Sequence, residues 1–359
     1  MHDCIQVRSA FSWPGNSHIF CSGRVMAGQD CYRAALTLFL LAIPSCLCLI
    51  LPAWRLWDEE ERPQPLAAGV VLLVLSVGLL WRIATSNPGF IPLQNALFSM
   101  GPQGVTPLSS LAMTPQKIME VNVNGALVRL KFCRTCYLLR PPRTSHCGRC
   151  GVCVERFDHH CPWVGNCIGR RNYRLFLLFI WVLSLKEAFM CLICVVEIAR
   201  EVRKQENIAE GVKLRIAEVV LGTYFLGVFC FVGGLFLFHC ILVCRNETTY
   251  ERLSKKWKVR GENPYNTGDC LRNAGQTMCT PRPPARYDLR ALVDLTAVTI
   301  FRSARDRLFK QQIKGVTQEK TVFVSKGSPH FDVTSIHGLV STRGGSREGC
   351  KEESDLAFP

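Results

Sequence analysis

The first 30 residues lack the basic start, the uninterrupted apolar segment and the small-residue cleavage site of a secretory signal peptide. No internal repeat is visible, which weighs against the repeat-built transporter folds. Acidic side chains are scarce, 28 Asp+Glu against 43 Lys+Arg, so the formal charge is +15. The aromatic-poor composition of a disordered chain is missing too: 48% of residues are hydrophobic, with 20 Phe, 7 Trp and 7 Tyr. A length of 359 residues would by itself allow two or three soluble domains. The apolar residues, however, gather in four runs instead of spreading through amphipathic elements. About half of the chain is left outside them, too little for a large soluble core without another source of stability.

The runs are Ala34 to Trp54, Ala67 to Ala84, Leu175 to Val196 and Val219 to Val243. Each is about the 17–25 residues that a helix needs to cross hydrocarbon, and Pro44 in the first is tolerable at a kink. The segment from Arg82 to Arg174 holds 12 basic and 3 acidic residues, and the region from Arg245 onward holds 20 and 13. The connection between the first two runs instead carries Asp58, Glu59, Glu60 and Glu61 against Arg55 and Arg62. Positive-inside bias therefore predicts both termini and the central loop in the cytosol. Glu197 to Glu218 balances five basic with five acidic residues, and the even number of spans settles that boundary. The expected fold is an all-α polytopic membrane protein with cytosolic segments 1–33, 85–174 and 244–359, and helix pairs 34–84 and 175–243. Lys186 and Glu187 fall inside the third run, where charges face a bundle interior, pair, or mark function.

Seven of the 20 Cys lie between Cys133 and Cys167, while Cys46, Cys48, Cys191, Cys194 and Cys230 sit in apolar runs as small hydrophobes. A secreted disulfide scaffold would be short and without spans. The window reads Cys133-x-x-Cys136, His146-Cys147-x-x-Cys150-x-x-Cys153, Asp158-His159-His160-Cys161 and Cys167. Cys-x-x-Cys pairs converge on one tetrahedral metal and His completes the set, which points to zinc, with iron–sulfur ligation as a minor alternative. Seven Cys plus His146, His159 and His160 make ten candidate ligands, and two closed sites use eight. Spacing does not say which two are spare, and Cys161 as a ligand stays open on that ground. Chemistry favours His159 and Cys161 as the spare pair, a thiolate nucleophile beside an imidazole that Asp158 orients. Cys167 lies eight residues before Leu175. A nucleophilic Cys161 would then sit at the bilayer surface within reach of a lipid chain, among basic residues that attract phosphate-bearing groups. These features point to thioester chemistry on a fatty acyl group.

This arrangement closely resembles the DHHC family of protein S-acyltransferases, or palmitoyltransferases. Every element of the pattern C-x2-C-x9-HC-x2-C-x2-C-x4-DHHC-x5-C is present from Cys133 to Cys167. The resemblance implies a cysteine-rich domain, about 131–174, holding two structural zinc ions between the second and third spans. Cys133, Cys136, His146 and Cys153 would hold one, and Cys147, Cys150, His160 and Cys167 the other. Cys161 is then the acyl acceptor, His159 the general base and Asp158 its polarising partner. Long-chain acyl-CoA, palmitoyl-CoA foremost, is the implied cosubstrate, and cysteine thiols of membrane-associated proteins receive the acyl group in a ping-pong reaction. Golgi or endoplasmic-reticulum membranes are the implied residence, with the plasma membrane as alternative.

Thr248-Thr249-Tyr250-Glu251 matches the family's TTxE motif, which the resemblance places beside the active site with Thr248, Thr249 and Glu251 in support. Asn263 to Gly268 and Asn273 resemble the family element that follows. It implies an apolar pocket for Tyr265 and hydrogen bonds from Asn273 to the ends of the spans. Asn87-Pro88-Gly89 departs from the family's Asp-Pro-Gly and keeps the turn chemistry without the negative charge. Lys186 lies roughly 16 Å into the membrane at helical rise, where it would either shorten the acyl groove or pair with Glu187.

Asn122 to Phe132 alternates like a strand or hairpin. Apolar spacing through Ala291, Leu295, Val298 and Phe301 predicts an amphipathic helix from about Leu289 to Ile313. Cys4, Cys21 and Cys31 read as ordinary thiols, with acylation as the alternative. From Lys314 onward no motif is found. The chief non-enzymatic alternative is a zinc-stapled membrane adaptor. Nucleic-acid binding is not expected, because the Cys/His spacing does not match a finger with a recognition helix.

Overall fold

A computed structural model describes residues 6–8, 13, 15–21, 24–61, 63–91, 119–136, 138–257, 262–286 and 292–294. The four apolar runs become four long helical segments, Cys31–Leu56, Gln64–Ala84, Tyr173–Gln205 and Ile216–Cys244, which make this a multi-pass membrane protein. The first is α1 (Cys31–Cys48), which carries Pro44, followed by a π-helical turn, Leu49–Ala53, that contains Pro52, and then α2 (Trp54–Glu60). The two prolines explain the irregular winding, since each removes an amide from the helical ladder. α3 spans Gln64–Ala84 and has Pro in its first turn, where no amide partner is needed.

The third helix, α4 (Tyr173–Gln205), outruns its apolar stretch. Its charged last turns persist because they meet partners from the next two helices, α5 (Ile208–Leu214) and α6 (Ile216–Cys244). Asn207 caps α5 by accepting from the amides of Ala209 and Glu210. Arg215 Nη2 reaches Glu201 at 2.7 Å and Glu197 at 4.0 Å, while its Nη1 is 3.6 Å from Glu218. Arg200 pairs with Glu197 at 2.5 Å, and Arg55 from the first helical segment pairs with Glu218. Glu197, Arg200, Glu201, Arg215 and Glu218, joined by Arg55, thus form one ion network at this end of the bundle.

Two apolar cores fill the bundle. One holds Leu41, Ile83, Phe176, Phe179, Ile180, Leu183 and Val232, together with Cys161 and Ile168 from the Cys/His domain. The other packs Cys48, Leu49 and Leu56 against Met190, Ile193 and Phe225. Large apolar side chains such as Phe39, Val74, Leu192, Phe231 and Leu237 point outward, the arrangement that a hydrocarbon solvent favours. Lys186 and Glu187 are almost fully buried and pair at 2.9 Å, and Lys186 Nζ also donates to Ser45 Oγ of α1 at 2.8 Å.

The all-α expectation holds for the bundle and not for the segment between α3 and α4. That segment is built from short antiparallel strands, because its residues gain more from clustering Cys and His at tight turns than from helical repeats. Met119–Val123 pairs with Ala126–Leu130 in the expected hairpin, whose turn uses the left-handed Asn124-Gly125 pair. Phe90–Ile91, Val152–Val154 and Ser145–Cys147 form a three-stranded sheet, and His159–Cys161 pairs with Asn166–Ile168. Asn87 makes the expected turn, its Oδ1 accepting from the amides of Gly89 (2.8 Å) and Phe90 (3.1 Å). After α6 come α7 (Thr249–Leu253) and α8 (Cys270–Met278), and a disulfide links Cys244 to Cys270.

A separate compact unit contains residues 6–8 and 292–294, paired as antiparallel strands. Leu292–Asp294 is therefore extended, which corrects the helix expected to begin near Leu289: strand pairing overrides a weak local helical period. The remainder of that expected helix, Cys4 and the C-terminal stretch beyond Lys314 lie outside the described residues.

Removing Arg215 leaves three buried carboxylates with fewer partners. R215A is expected to destabilise the bundle by roughly 3 kcal/mol, read as a lower thermal midpoint in detergent with metal content unchanged.

Candidate active site and metal clusters

Strand geometry explains how one short motif serves two purposes. His159, His160 and Cys161 are consecutive on a strand, so alternation sends His159 and Cys161 to one face and His160 to the other. The partner strand places Cys167 directly opposite His160. These two meet Cys147 and Cys150: His160 Nδ1 lies 3.7 Å from Cys147 Sγ, 3.5 Å from Cys150 Sγ and 3.5 Å from Cys167 Sγ. In the neighbouring sheet Cys153 pairs across from His146, and both converge with Cys133 and Cys136. His146 Nδ1 is 3.2 Å from Cys136 Sγ and 4.0 Å from Cys153 Sγ.

Each set of three Cys and one His brings its ligand atoms within 4.8 Å of one another. The membership of both sets matches the eight residues expected from the sequence. In the Cys133-x-x-Cys136 and Cys147-x-x-Cys150 turns the amide of the second Cys donates to the sulfur of the first, at 3.4 Å in both. Both groups are suited to hold a metal ion. Outside them, His160 Nε2 lies 3.0 Å from Asp30 Oδ2.

Cys161 belongs to neither set. It is buried in the bundle core, on the face that carries His159. His159 Nδ1 lies 2.7 Å from Asp158 Oδ2, an arrangement in which the imidazole N–H donates to the carboxylate. Asp158 is only 1% exposed and is held from all sides. Its Oδ1 accepts from the Thr249 amide at 2.9 Å and its Oδ2 from the Thr249 hydroxyl at 2.8 Å. Its own carbonyl accepts from the Tyr250 amide at 3.1 Å.

Burial opposes ionisation of Asp158, but the hydrogen bond and charge of His159 outweigh it and hold the carboxyl well below the ordinary range. Burial likewise works against the imidazolium of His159. The bond to Asp158, followed by the interaction with Cys161, overcomes that and raises its pKa to about 10. The site is therefore arranged to hold a proton on His159 beside the Cys161 sulfur.

The remaining expected residues lie in the segment that carries Thr249 and in the one that follows it. Thr248 caps α7 in a reciprocal box: Glu251 N–H donates to Thr248 Oγ1 at 3.2 Å and Thr248 N–H to Glu251 Oε2 at 3.0 Å. Asn273 is fully buried, and its Nδ2 donates to the carbonyl of Cys244 at the end of α6, at 2.8 Å. The Tyr265 ring lies 6.0 Å from Trp257, but a guanidinium, that of Arg143, also covers it at 4.4 Å. The expected pocket is thus half cationic.

Arg143 and His239 escaped the reading of the sequence. Arg143 sits in a left-handed backbone turn of the Cys/His domain. Its Nε and Nη2 grip Glu251 at 3.0 and 2.7 Å, while Nη1 and Nη2 reach the side chain and carbonyl of Asn246 at 2.9 and 3.0 Å. His239 lies near the end of the fourth apolar run, 1% exposed, with Nδ1 3.1 Å from the Tyr173 hydroxyl and its ring 6.1 Å from that of His159. One His in a hydropathy plot gives no signal of such a position. The Pro-Pro-Arg run ending at Arg143 offered a turn signal and nothing about a partner about a hundred residues away.

Four long apolar helices, a domain with two Cys/His sets between the second and third of them, and a buried cysteine beside a histidine–aspartate pair outside both sets together fit a membrane-embedded thiol acyltransferase. The sequence profile described as DHHC palmitoyltransferase matches residues 127–256, and the chain belongs to this family of protein-cysteine S-acyltransferases. Palmitoyltransferase ZDHHC9 of Homo sapiens is 36% identical over 304 residues, covering 79% of this chain and 79% of its own length. Probable protein S-acyltransferase 7 of Arabidopsis thaliana is 37% identical over 294 residues, covering 79% of this chain and 65% of its own length.

Replacing Arg143 breaks a buried, forked ion pair. R143A is expected to cost roughly 3 kcal/mol, and R143K to recover only part of it, because a single ammonium does not reproduce the fork. Thermal unfolding of the two variants in detergent checks this, with Glu251→Gln in R143A restoring stability if the stranded carboxylate is the cause.

Proposed function

We propose that this chain transfers a long-chain acyl group, palmitoyl foremost, from acyl-CoA to cysteine thiols of membrane-associated proteins through a thioester on Cys161. The observation that carries this reading is the position of Cys161: outside both ligand sets, beside His159, and in contact with the apolar core of the bundle. His159 takes the thiol proton while Asp158 and Thr249 hold its ring. The Cys161 thiolate attacks the acyl-CoA carbonyl, the bond to the CoA sulfur breaks, and His159 protonates the departing thiolate. A substrate thiol then gives its proton to His159 and attacks the new thioester, and Cys161 leaves as thiolate. Thioester replaces thioester, so alignment and a ready thiolate supply the rate.

Zinc fits both ligand sets. A tetrahedral ion about 2.3 Å from sulfur and about 2.0–2.1 Å from nitrogen puts those atoms roughly 3.5 Å apart, close to the three distances around His160. Bound zinc would lock the two ribbons in shape. Cys133, Cys136, His146 and Cys153 would hold one ion, and Cys147, Cys150, His160 and Cys167 the other.

The excess of basic residues in the central segment supports a cytosolic Cys/His domain and cytosolic termini; residence in Golgi or endoplasmic-reticulum membranes rests on the family resemblance alone. On that side glutathione keeps thiols reduced, so the bond between Cys244 and Cys270 is expected to open there.

Purified protein incubated with labelled palmitoyl-CoA is expected to carry a hydroxylamine-sensitive label that C161S lacks while retaining two zinc ions. Label persisting on C161S, or loss of metal with the substitution, would overturn the assignment. Acyl-chain choice gives a second test. Leu183 lines the core above Cys161, and Lys186 follows one turn later with its bond to Ser45. K186A is expected to move the donor preference toward longer chains by several-fold in kcat/KM. An unaltered profile across donors of graded length would remove Lys186 from specificity.

A further inference from the structure

Asp30 occupies the N-cap position of α1, where an aspartate ordinarily accepts hydrogen bonds from the first amides of its own helix. Here it makes no such bond. Its carboxylate is turned away from the helix, is 5% exposed, and meets His160 Nε2 at 3.0 Å across 130 residues of sequence. A carboxylate only accepts, so the proton of this contact sits on Nε2. The lone pair of the imidazole is then on Nδ1, the atom that faces the sulfurs of Cys147, Cys150 and Cys167.

The backbone is shaped for this approach. A Cβ on Gly165 would lie 2.5 Å from the Asp30 carbonyl oxygen, and one on Gly28 would lie 1.9 Å from the Gly165 oxygen. The stretch leading into α1 therefore rests directly on the turn that joins the strand of His160 to the strand of Cys167. Thr37, two turns into α1, adds a second tie by donating its hydroxyl to the Trp163 carbonyl at 2.7 Å.

We propose that Asp30 is a positioning residue of the second metal cluster: it fixes the tautomer and orientation of His160, strengthens its Nδ1 as a ligand, and so fastens the start of α1 to the hairpin that bears Cys161. Carboxylate–histidine pairs of this kind raise ligand basicity, and losing one lowers metal affinity about 10- to 100-fold. The inference rests on the zinc reading of the two clusters, and adds a residue from outside the Cys/His domain.

The test is zinc retention by the full-length protein in detergent, followed as release to a chelator. The cluster of Cys133, Cys136, His146 and Cys153 serves as internal reference. Wild type is expected to hold two zinc ions that leave slowly. D30A is expected to release one ion on the order of 10- to 100-fold faster and the other at the wild-type rate. D30N, whose amide oxygen still accepts from Nε2 without the charge, is expected to fall between. T37A severs the other tie of the same turn without touching the imidazole, and is expected to leave both rates unchanged. Two ions in wild type with unaltered release from D30A would overturn the role of Asp30 alone. Equal acceleration by T37A and D30A would overturn it as well, because general loosening of the turn would then suffice. Fewer than two ions in wild type would overturn the zinc reading itself, and this inference with it.

Discussion

The two-residue alternation of one strand, His159–Cys161, is the constraint on which the rest of the molecule depends. A helix would have spread these three side chains by about 100° each, and a loop would have left them free to reorient. The strand instead sends His160 into a ligand cluster and His159 and Cys161 toward the bundle. The Cys/His cluster and the proposed reactive pair are therefore joined by one backbone and separated by its two faces. Pairing with Asn166–Ile168 fixes the register, and a slip of one residue would exchange the faces. Close packing of the ligand sets matters for this reason: in a ribbon with so little apolar core, the ligands are the staple.

Fixing a strand does not by itself fix a catalytic rotamer, and the segment after the fourth span supplies what is missing. Thr249 meets both oxygens of Asp158, and α7 is held in place by its own capping box and by Arg143. Arg143 in turn belongs to the Cys/His domain, between Cys136 and His146. The supports thus run in a closed circuit: the domain holds α7, α7 holds Asp158, and Asp158 holds His159 within the domain. Asn273 ties the circuit to the end of α6. A site assembled from three separate chain segments at the bilayer surface needs such closure, because the membrane fixes only the depth of the helices and not their rotation.

Much of this was legible in the sequence, for identifiable reasons. Span positions follow from hydropathy because apolar length is a one-dimensional property. The grouping of the eight Cys and His side chains follows because Cys and His at turn spacing have few other uses, and the position of Asp158, His159 and Cys161 outside the sets of three Cys and one His follows because they are what those sets leave over. The hidden residues share a different trait. Asp30 is an acidic residue ahead of the first apolar run, Arg143 one of 12 basic residues in a segment where topology already explains the charge, and His239 a single His in an apolar run. Each acquires its meaning from a partner across the fold, and no local pattern encodes that. Leu292–Asp294 failed in the opposite sense, since its local helical period was overruled by pairing with residues 6–8.

Lys186 shows how a group that burial penalises can be kept where it limits something else. An ammonium in hydrocarbon costs several kcal/mol unless it is paired, and here it has both Glu187 and the hydroxyl of Ser45. Adjacent residues on a helix point about 100° apart, so the long Lys stem must bend along the helix to meet Glu187. That posture leaves its head between α4 and α1. Phe176, Phe179, Ile180 and Leu183 line the same core as Cys161 and offer only carbon. One turn beyond Leu183 the lining becomes charged and hydrogen-bonded. On the proposed reading, an acyl chain carried by Cys161 would gain free energy with each buried methylene up to that level, and would lose it on pushing past, because the Lys186 and Ser45 partners would have to part. In that reading the polar crossbar would convert a continuous apolar gradient into a defined depth.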